Sequence, residues 1–393
     1  MRRFCVIGSF TGRNAGDSAI LENLAREIAE YFPDAVCEVP TINPKFIRET
    51  YPGLPLEPVA TLPWNLSVKS FGLPVLLSVA RCDAVLITQA ILFDKKFWNP
   101  LYNYLSTLML ALPLARMLGK KIFYYGVGVG PVATAKGRVV VRKLLEMADG
   151  ITLREEASVG IMEALGVHKP HVLAADTALN QIVSEETAAF MRKKVEGDLG
   201  AGPYVALNLN AYIADWTHRA DAKGVDRNRF ISEIVRFVRV ITDEWKHRVI
   251  MICTHHMDEA VMEEVLEGAD RPGLAALYKC RHYDHRMLTA AMGMSEMMIG
   301  MRLHCQILAM SAGTPCVALN YAPKVRHFME MAGMAEYVVE IDGDFSCEKV
   351  LAGAVQLRDG RDKIMPGFTV RIDRLKEDAR KTPAELARVM GQC

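Results

Sequence analysis

Short apolar runs alternate with helical patterns along most of the chain. The first run, Arg3–Gly8, is followed by the helical spacing of Ala19–Tyr31. Such alternation is typical of parallel sheets whose strands are joined by crossover helices. Further strands of the first half are predicted at Ala84–Thr88, Lys121–Tyr125, Gly150–Leu153 and His171–Ala174. The stretch Asn43–Pro63 is rich in proline and polar residues and is predicted to form loops.

The alternation starts again after a break near residues 181–203, where the charged helix predicted at Ser184–Leu199 ends at Gly200–Pro203. The later elements are predicted as strand Tyr204–Asn210, helix Asn228–Trp245, strand Arg248–Cys253, helix Asp258–Leu266, strand Met297–Gly300, helix Cys305–Ala312 and strand Pro315–Asn320.

The pattern therefore predicts an α/β protein with two domains, residues 1–182 and 203–370, facing a cleft. A C-terminal helix or tail is predicted over 371–393, with a break at Thr382-Pro383. Ligands of such sheets bind at the carboxyl ends of the strands.

Composition and charge exclude several classes of protein. The 393 residues contain 47 Lys and Arg against 46 Asp and Glu, a formal charge of +1 that argues against a nucleic-acid partner. The nine cysteines include no C-x-x-C pair, which disfavours disulfides and favours a cytoplasmic location. No apolar run is long and uninterrupted enough to predict a transmembrane segment. Peripheral contact with the inner face of a membrane stays open.

Two glycine-containing turns follow predicted strands of the first domain. They are Gly8–Ser18 and Gly126–Pro131. Glycines let a ligand approach the backbone, and a helix N-terminus favours anions. Each segment is equally compatible with a plain structural turn. In the first segment, Asp17 would then cap the following helix. Neither spacing matches a P-loop or a complete dinucleotide fingerprint. The candidate contacts for an acceptor or for the cleft are Asn14, Gly16, Gly128 and Gly130.

Basic side chains follow strands in both halves. Arg302 and His304 lie on a strand-to-helix turn, and Lys324 follows the next strand, so all three are expected to face one pocket suited to a phosphate or dianion. Arg154 also ends a strand, and two interpretations fit it. Its guanidinium suits binding of a carboxylate or phosphate, and it equally suits an ion pair with Glu155 or Glu156.

A metal site is the less favoured interpretation of the remaining histidines. His255 and His256 follow a predicted strand, but adjacent loop residues seldom bind one metal, and no H-E-x-x-H helix is present. We therefore expect no metal.

The chain resembles the polysaccharide pyruvyl transferase family. The resemblance is carried by segments that follow the order of the family's motifs. The first two are Asn14-Ala15-Gly16-Asp17 with Ala19-Ile20, similar to N-x-G-D-x-A-[IL], and Gly126–Pro131, similar to G-x-G-x-G-P. The later two are the central block, Asp149–Ser158 with Leu165-Gly166-Val167 and Ala175-Asp176, and the block Met301–His304 with Ser311–Pro315 and Pro323-Lys324.

This resemblance implies a GT-B-like fold of two Rossmann-like domains, with the acceptor side in the first and the donor side in the second. The implied reaction moves the enolpyruvyl group of phosphoenolpyruvate, a co-substrate, onto a sugar of a cell-envelope or extracellular polysaccharide or its lipid-linked precursor. A pyruvate ketal forms, and no cofactor is implied. The matching positions imply that Arg154, Arg302, His304 and Lys324 contact the donor and that Asp17 lies at the acceptor side. Because histidine titrates near neutral pH, His304 is the candidate acid/base.

One segment departs from the family pattern. The family usually carries a run of glycines and then an acidic residue, whereas this chain has Thr88-Gln89-Ala90 and, later, Asp94. Fewer glycines close off backbone space in the cleft, which argues against a standard acceptor and, less strongly, against the activity itself.

Two alternatives remain at this point. A nucleotide-sugar glycosyltransferase of the same fold needs a carboxylate for ribose, for which Glu330 is a candidate. A non-catalytic subunit in envelope assembly is supported by the altered loop alone. It is opposed by the cluster of like charges, which a silent site does not need.

Overall fold

The computed structural model describes residues 1–61, 73–95, 103–211 and 225–392. Its contacts divide the chain into two compact units, each built around one parallel sheet. The first unit comprises residues 1–12, 17–177 and 375–393, and the second comprises 13–16 and 178–374. The sequence-based division places residues 1–182 in the first domain. In the structure, residues 13–16 and 178–182 group with the second unit, and most of the C-terminal tail groups with the first.

The first unit alternates strands and helices from its beginning. Its elements are β1 (Arg3–Ile7), α1 (Ala15–Tyr31), β2 (Val36–Thr41), α2 (Pro44–Thr50), β3 (Leu56–Ala60), α3 (Leu73–Arg81), β4 (Ala84–Thr88), α4 (Leu105–Met117), β5 (Lys121–Val127), α5 (Ala135–Glu146), β6 (Gly150–Leu153), α6 (Glu156–Ala164) and β7 (Val172–Leu173). The described strands form one parallel sheet in the order β3-β2-β1-β4-β5-β6-β7. The order reverses between β1 and β4, which makes that point a topological switch point.

The second unit repeats this plan. Its elements are α7 (Glu185–Leu199), β8 (Tyr204–Asn208), α8 (Arg227–Asp243), β9 (Arg248–Cys253), α9 (Glu259–Ala269), β10 (Ala275–Lys279), α10 (His285–Gly293), β11 (Met297–Gly300), α11 (Leu303–Ser311), β12 (Cys316–Asn320), α12 (Pro323–Met331), β13 (Val338–Glu340) and α13 (Cys347–Ala379), and α14 (Lys381–Val389) follows in the first unit. Short 3₁₀ helices cover Thr177–Asn180, His256–Asp258 and Ala335–Tyr337. The described strands run in the order β10-β9-β8-β11-β12-β13, with the switch between β8 and β11. Two parallel sheets of this order confirm the predicted fold class.

Two apolar clusters cover the two faces of the first sheet. One includes Val79 of α3, Leu108 of α4 and Leu144 of α5. The other joins Leu24 of α1 to Leu386 of α14, and both of these side chains are fully buried. The C-terminal helix therefore belongs to the core of the first unit. None of the described helices has the length and apolarity needed to cross a membrane.

The prediction of loops over Asn43–Pro63 is wrong for most of that stretch. Asn43 caps α2 by accepting a hydrogen bond from the Phe46 N–H, and proline occupies the first turn of that helix, where its missing N–H costs nothing. Pro58 lies in β3, an edge strand, where proline is tolerated. Residues 62 and 63 lie outside the described part of the chain.

The predicted break in the C-terminal segment is present but earlier than expected. α13 ends at Ala379 and α14 begins at Lys381, so Thr382 and Pro383 lie in the first turn of α14. Thr382 does not cap α14. The N-cap position, just before the helix begins, is held by Arg380, which makes no side-chain capping hydrogen bond.

Candidate active site

The candidate residues of the second unit lie at the carboxyl edge of its sheet. Arg302 follows β11 and immediately precedes α11, and His304 lies in the first turn of that helix. Lys324 lies in the first turn of α12, after β12, and its Nζ is 5.6 Å from the centroid of the Tyr321 ring. α11 and α12 contact each other. The three side chains thus follow neighbouring strands next to the switch point, where sheets of this kind bind ligands.

A buried ion pair fixes Arg302. Its Nε and Nη2 lie 2.7 Å from Oδ2 and Oδ1 of Asp258, which is fully buried, and Oδ1 also accepts a hydrogen bond from the Ala211 N–H. The Arg302 N–H donates to Asn208 Oδ1 over 2.9 Å, and Asn208 Nδ2 donates to the Ile252 carbonyl over 2.8 Å. The ends of β8, β9 and β11 are therefore tied together by polar contacts.

The tetrapeptide 13–16 lies against the end of β9. The Ala15 N–H donates to the Thr254 carbonyl over 2.8 Å, and Asn14 forms an antiparallel bridge with His255. A Cβ at Gly16 would lie 2.3 Å from Cβ and Cγ of His304, a distance that real side chains do not adopt. Glycine is thus required at position 16 because His304 occupies the space of a side chain.

Asp17 does not cap α1, contrary to the sequence-based expectation. The helix begins at Ala15, and the preceding Asn14 accepts a hydrogen bond on Oδ1 from the Gly16 N–H over 3.0 Å. Asp17 is half-buried in the first turn of α1, in the first unit, where an acidic side chain complements the helix dipole.

Two histidines that the sequence analysis set aside lie beside this edge. His255 Nδ1 accepts a hydrogen bond from the Met257 N–H over 3.2 Å, so the neutral ring carries its hydrogen on Nε2. The rings of His255 and His256 stack with centroids 4.7 Å apart. No group of three or more possible metal ligands occurs among the described residues. The sequence feature that indicates His255 is its position two residues after the end of β9, which lies beside β8, the strand at the switch point.

In the first unit, the glycine turn after β5 pairs with the segment after β4. The Gly128 N–H donates to the Gln89 carbonyl over 3.2 Å, and the Gly130 N–H donates to the Leu92 carbonyl over 2.8 Å. Gly130 has a φ of 99°, in the left-handed region that glycine favours, and precedes a cis peptide bond to Pro131. The pairing of β4 and β5 thus continues beyond the strands.

Asp94 holds the far end of this pairing. Its carboxylate accepts hydrogen bonds from the N–H groups of Ala133 (3.1 Å) and Thr134 (2.5 Å), just before α5. Burial alone would raise the pKa of Asp94, but these hydrogen bonds outweigh it and lower the pKa. The acidic residue of the altered segment therefore has a structural role in the loop.

Gln89 adopts a conformation that usually belongs to glycine. Its φ is 70°, and its buried side chain accepts a hydrogen bond on Oε1 from the Ser9 N–H over 2.8 Å. The segment therefore keeps a left-handed backbone where the family usually has glycines. The side chain links the loops that follow β1 and β4, on either side of the first switch point.

Arg154 is buried and forms an ion pair with a residue distant in sequence. Its Nη1 lies 2.7 Å from Asp176 Oδ2, and both side chains are almost completely buried. Burial alone would lower the pKa of Arg154, but the charges of Asp176, Glu155 and Asp17 outweigh it and raise the pKa. Because Arg154 Nε and Glu155 Oε1 lie 3.2 Å from the position of a Cβ on Gly128, a side chain there would crowd them.

Both candidate arginines are thus paired with buried carboxylates. Arg154 pairs with Asp176, and Arg302 pairs with Asp258. The positive charges of these two side chains are compensated, so they do not count against a silent site. Glu330, the candidate ribose ligand, is exposed in the last turn of α12, about 9 Å along the helix from Lys324. It is therefore far from the carboxyl edge of the sheet.

Most of the motifs at both sheet edges fall within one family match. The family model described as polysaccharide pyruvyl transferase matches residues 14–323, from the N-x-G-D segment to Pro323, the residue before Lys324. The chain belongs to the polysaccharide pyruvyl transferase family. The predicted family is confirmed, and with it a class of transferases.

A curated relative agrees with membership of the pyruvyl transferase family. The amylovoran biosynthesis protein AmsJ of Erwinia amylovora is 22% identical over 238 residues, which are 58% of this chain. The match spans 56% of the length of that relative. The chain thus spans little more than half the length of this protein of amylovoran biosynthesis.

Solved structures share the fold of this pyruvyl transferase family member. HepE of Anabaena, in complex with UDP, superposes with a TM-score of 0.62 at 12% identity over 100% of both chains. UDP-GlcNAc 2-epimerase of Methanocaldococcus jannaschii gives 0.57 at 12% identity over 90% of this chain and 92% of that one. ADP-heptose LPS heptosyltransferase II of E. coli gives 0.51 at 13% identity over 91% and 99%. At such low identity these likenesses establish the GT-B-type fold alone.

The backbone at Gln89 is expected to favour glycine over alanine. Gln89→Gly and Gln89→Ala both lose the hydrogen bond to Ser9, but alanine keeps the cost of a positive φ. The glycine variant should therefore be more stable by about 1 kcal/mol. Denaturant unfolding of the two variants measures this difference. At Ala133, whose φ is not positive, Ala133→Gly should bring no gain. An alanine variant of Gln89 at least as stable as the glycine variant would contradict the left-handed conformation.

The buried pair is expected to stabilise this pyruvyl transferase family member. Asp258→Asn removes the countercharge of a largely buried guanidinium, so the free energy of unfolding should fall by about 3 kcal/mol. Asp243 forms the matched control, because it makes the same two-pronged pair with Arg271 at the surface. Asp243→Asn should cost clearly less, since exposed pairs contribute little. Equal losses in the two variants, measured by urea unfolding, would contradict the role given to burial.

Proposed function

We propose that this protein transfers the enolpyruvyl group of phosphoenolpyruvate to a sugar and forms a pyruvate ketal. Arg302 takes the N-cap position of α11, His304 lies in the first turn of α11, and Lys324 lies in the first turn of α12. The placement of these three residues at one edge of the second sheet is the observation that carries the proposal. Arg302 and His304 lie within the family match, and Lys324 follows its last matched residue. Phosphoenolpyruvate is taken as co-substrate, and the reaction as written requires no resident cofactor.

The donor carries a phosphate and a carboxylate, so its site needs cations and helix N-termini. The N-termini of α11 and α12 lie beside Arg302 and Lys324, and the positive end of a helix dipole favours an anion. We propose that Arg302 and Lys324 bind these anionic groups and that Arg154, oriented by Asp176, also contacts the donor. Asp258 then acts as the residue that orients Arg302.

The chemistry requires one proton gained by carbon and two lost by hydroxyl groups. Protonation of the methylene carbon creates a cationic centre at C2, to which a first sugar hydroxyl adds. The C2–O bond to phosphate then breaks, and a second hydroxyl adds at C2 and closes the ketal. Of the two protons lost by the hydroxyl groups, one balances the proton gained by carbon and the other leaves with inorganic phosphate as hydrogen phosphate. We propose that His304 delivers or accepts a proton and that Asp17 accepts one from, or orients, the sugar hydroxyl.

The acceptor in this proposal is a sugar of a cell-envelope or extracellular polysaccharide, or its lipid-linked precursor. The AmsJ relative, a protein of amylovoran biosynthesis, supports a polysaccharide acceptor. We place the reaction in the cytoplasm, where phosphoenolpyruvate is available, and at the inner face of the membrane where the acceptor is lipid-linked.

A nucleotide-sugar glycosyltransferase is the second candidate. Its support is the shared fold of HepE, which was solved with UDP, and of a UDP-GlcNAc 2-epimerase. The position of Glu330 near the end of α12 argues against it as a ribose ligand in this unit. Binding of UDP in place of phosphoenolpyruvate would favour this candidate.

Lys324 is expected to contribute to donor binding. Lys324→Ala should weaken phosphoenolpyruvate binding at least about tenfold, because a charge-assisted contact to an anion is lost. Calorimetric titration at low and moderate salt measures the change. The variant leaves the buried pair of Arg302 and Asp258 in place.

The control for this titration is Lys349→Ala, which changes an exposed lysine of α13 in the same unit. It should bind phosphoenolpyruvate like the wild type. Equal affinities for Lys324→Ala and wild type would contradict the donor site. A wild-type protein that binds UDP but not phosphoenolpyruvate would overturn the proposed function.

His304 is expected to affect turnover more than donor affinity. His304→Gln keeps a polar side chain but cannot exchange a proton near neutral pH, so turnover should fall about a hundredfold or more. Release of phosphate from phosphoenolpyruvate in the presence of membrane glycan precursors measures turnover. His282→Gln, at an exposed histidine, is the control. Near-wild-type turnover of His304→Gln would remove the acid/base assignment.

A further inference from the structure

Three helices form a continuous layer on one face of the first sheet. α4 packs against both α3 and α5. Their inner sides join one apolar cluster, to which they contribute Val79, Leu108 and Leu144 among others. The outer sides of the same helices are therefore directed away from the sheet.

These outer sides carry large apolar side chains. On α3, Leu73 and Leu77 are exposed and lie four residues apart, on one face. On α4, Leu110 and Met117 lie seven residues apart on one face, and Met117 is 84% exposed. More than half of the exposed large hydrophobic side chains in the described part of the chain belong to this layer and the residue after α4: Leu73, Leu77, Met109, Leu110, Met117, Leu118 and Val139.

The same layer is strongly basic. Its three helices carry six basic side chains and one acidic side chain, Glu146, in a chain whose total charge is only +1. All six basic side chains are exposed: Arg81, Arg116, Lys136, Arg138, Arg142 and Lys143. Some take part in ion pairs, such as Arg81 with Glu38 and Arg116 with Asp149, but the excess of positive charge remains.

We propose that the outer face of α3, α4 and α5, called here the α3–α5 surface, binds an anionic membrane. Interleaved apolar and basic side chains match the boundary between acyl chains and acidic headgroups.

Two other occupants fit the surface less well. Nucleic acid would contact the basic side chains but would leave the leucines and methionines exposed to water. A second copy of the chain in a symmetric dimer would bring basic layers against each other, which like-charge repulsion disfavours.

Such binding would bring the protein to a lipid-linked acceptor. That purpose rests on the proposed function, whereas the binding itself depends only on the α3–α5 surface. The two can therefore fail separately in experiments.

The test is flotation of the full-length protein with phosphatidylcholine vesicles, with and without phosphatidylglycerol. Wild type should float with the anionic vesicles only, and high salt should weaken the association. The double variant Leu110→Glu/Met117→Glu should bind at least about tenfold more weakly, because it removes apolar contacts and adds negative charge.

The matched control is Phe190→Glu/Val370→Glu, which changes two exposed apolar side chains of the second unit. It should float like the wild type. Denaturant unfolding of both double variants should match the wild type, which reports correct folding without relying on the donor site. Phosphoenolpyruvate titration of the same variants then separates membrane binding from the donor site.

Three outcomes would overturn the proposal. The first is wild-type protein that does not float with anionic vesicles. The second is equal flotation of the two double variants. The third is a wild-type dimer, seen by light scattering, that becomes monomeric only in Leu110→Glu/Met117→Glu, since the α3–α5 surface would then bind a second copy.

Discussion

The ion pair of Arg302 and Asp258 holds the carboxyl edge of the second sheet in one arrangement. It joins the residue after β11 to the segment after β9, and Asn208 adds the end of β8. Because Asp258 is fully buried, opening the pair would leave a charge in a medium that solvates it poorly. Arg302 is thus positioned before any ligand arrives. His304, two residues later, is positioned with it and lies against Gly16.

The first unit uses the same device. Arg154 follows β6 and pairs with the buried carboxylate of Asp176. In both units an arginine at a sheet edge is oriented by an acidic partner, so excess positive charge is not what distinguishes these positions. What they offer is a fixed geometry of donors, which matters more for recognition of a small dianion than net charge does.

The sequence predicts most of the described strands because their apolar runs are visible in it. It misses β2, β3, β10 and β13, which are short or carry polar residues, and several of the helices between strands. Within β2, Glu38 is buried because Arg3 and Arg81 pair with it, a partnership that no local pattern reveals. The N-cap at Asn43 and the edge position of Pro58 likewise turn a loop-like composition into a helix and a strand.

The sequence by itself determined the family, the α/β class and the position of Arg302, His304 and Lys324 at strand ends, because these follow from local order along the chain. Only the tertiary structure decided what surrounds them. It paired Arg302 with Asp258 and Arg154 with Asp176, left Gly16 no room for a side chain, and gave Gln89 a left-handed backbone. These features depend on contacts between residues far apart in sequence, and the free energy of such contacts is set by burial and geometry, which local patterns do not carry.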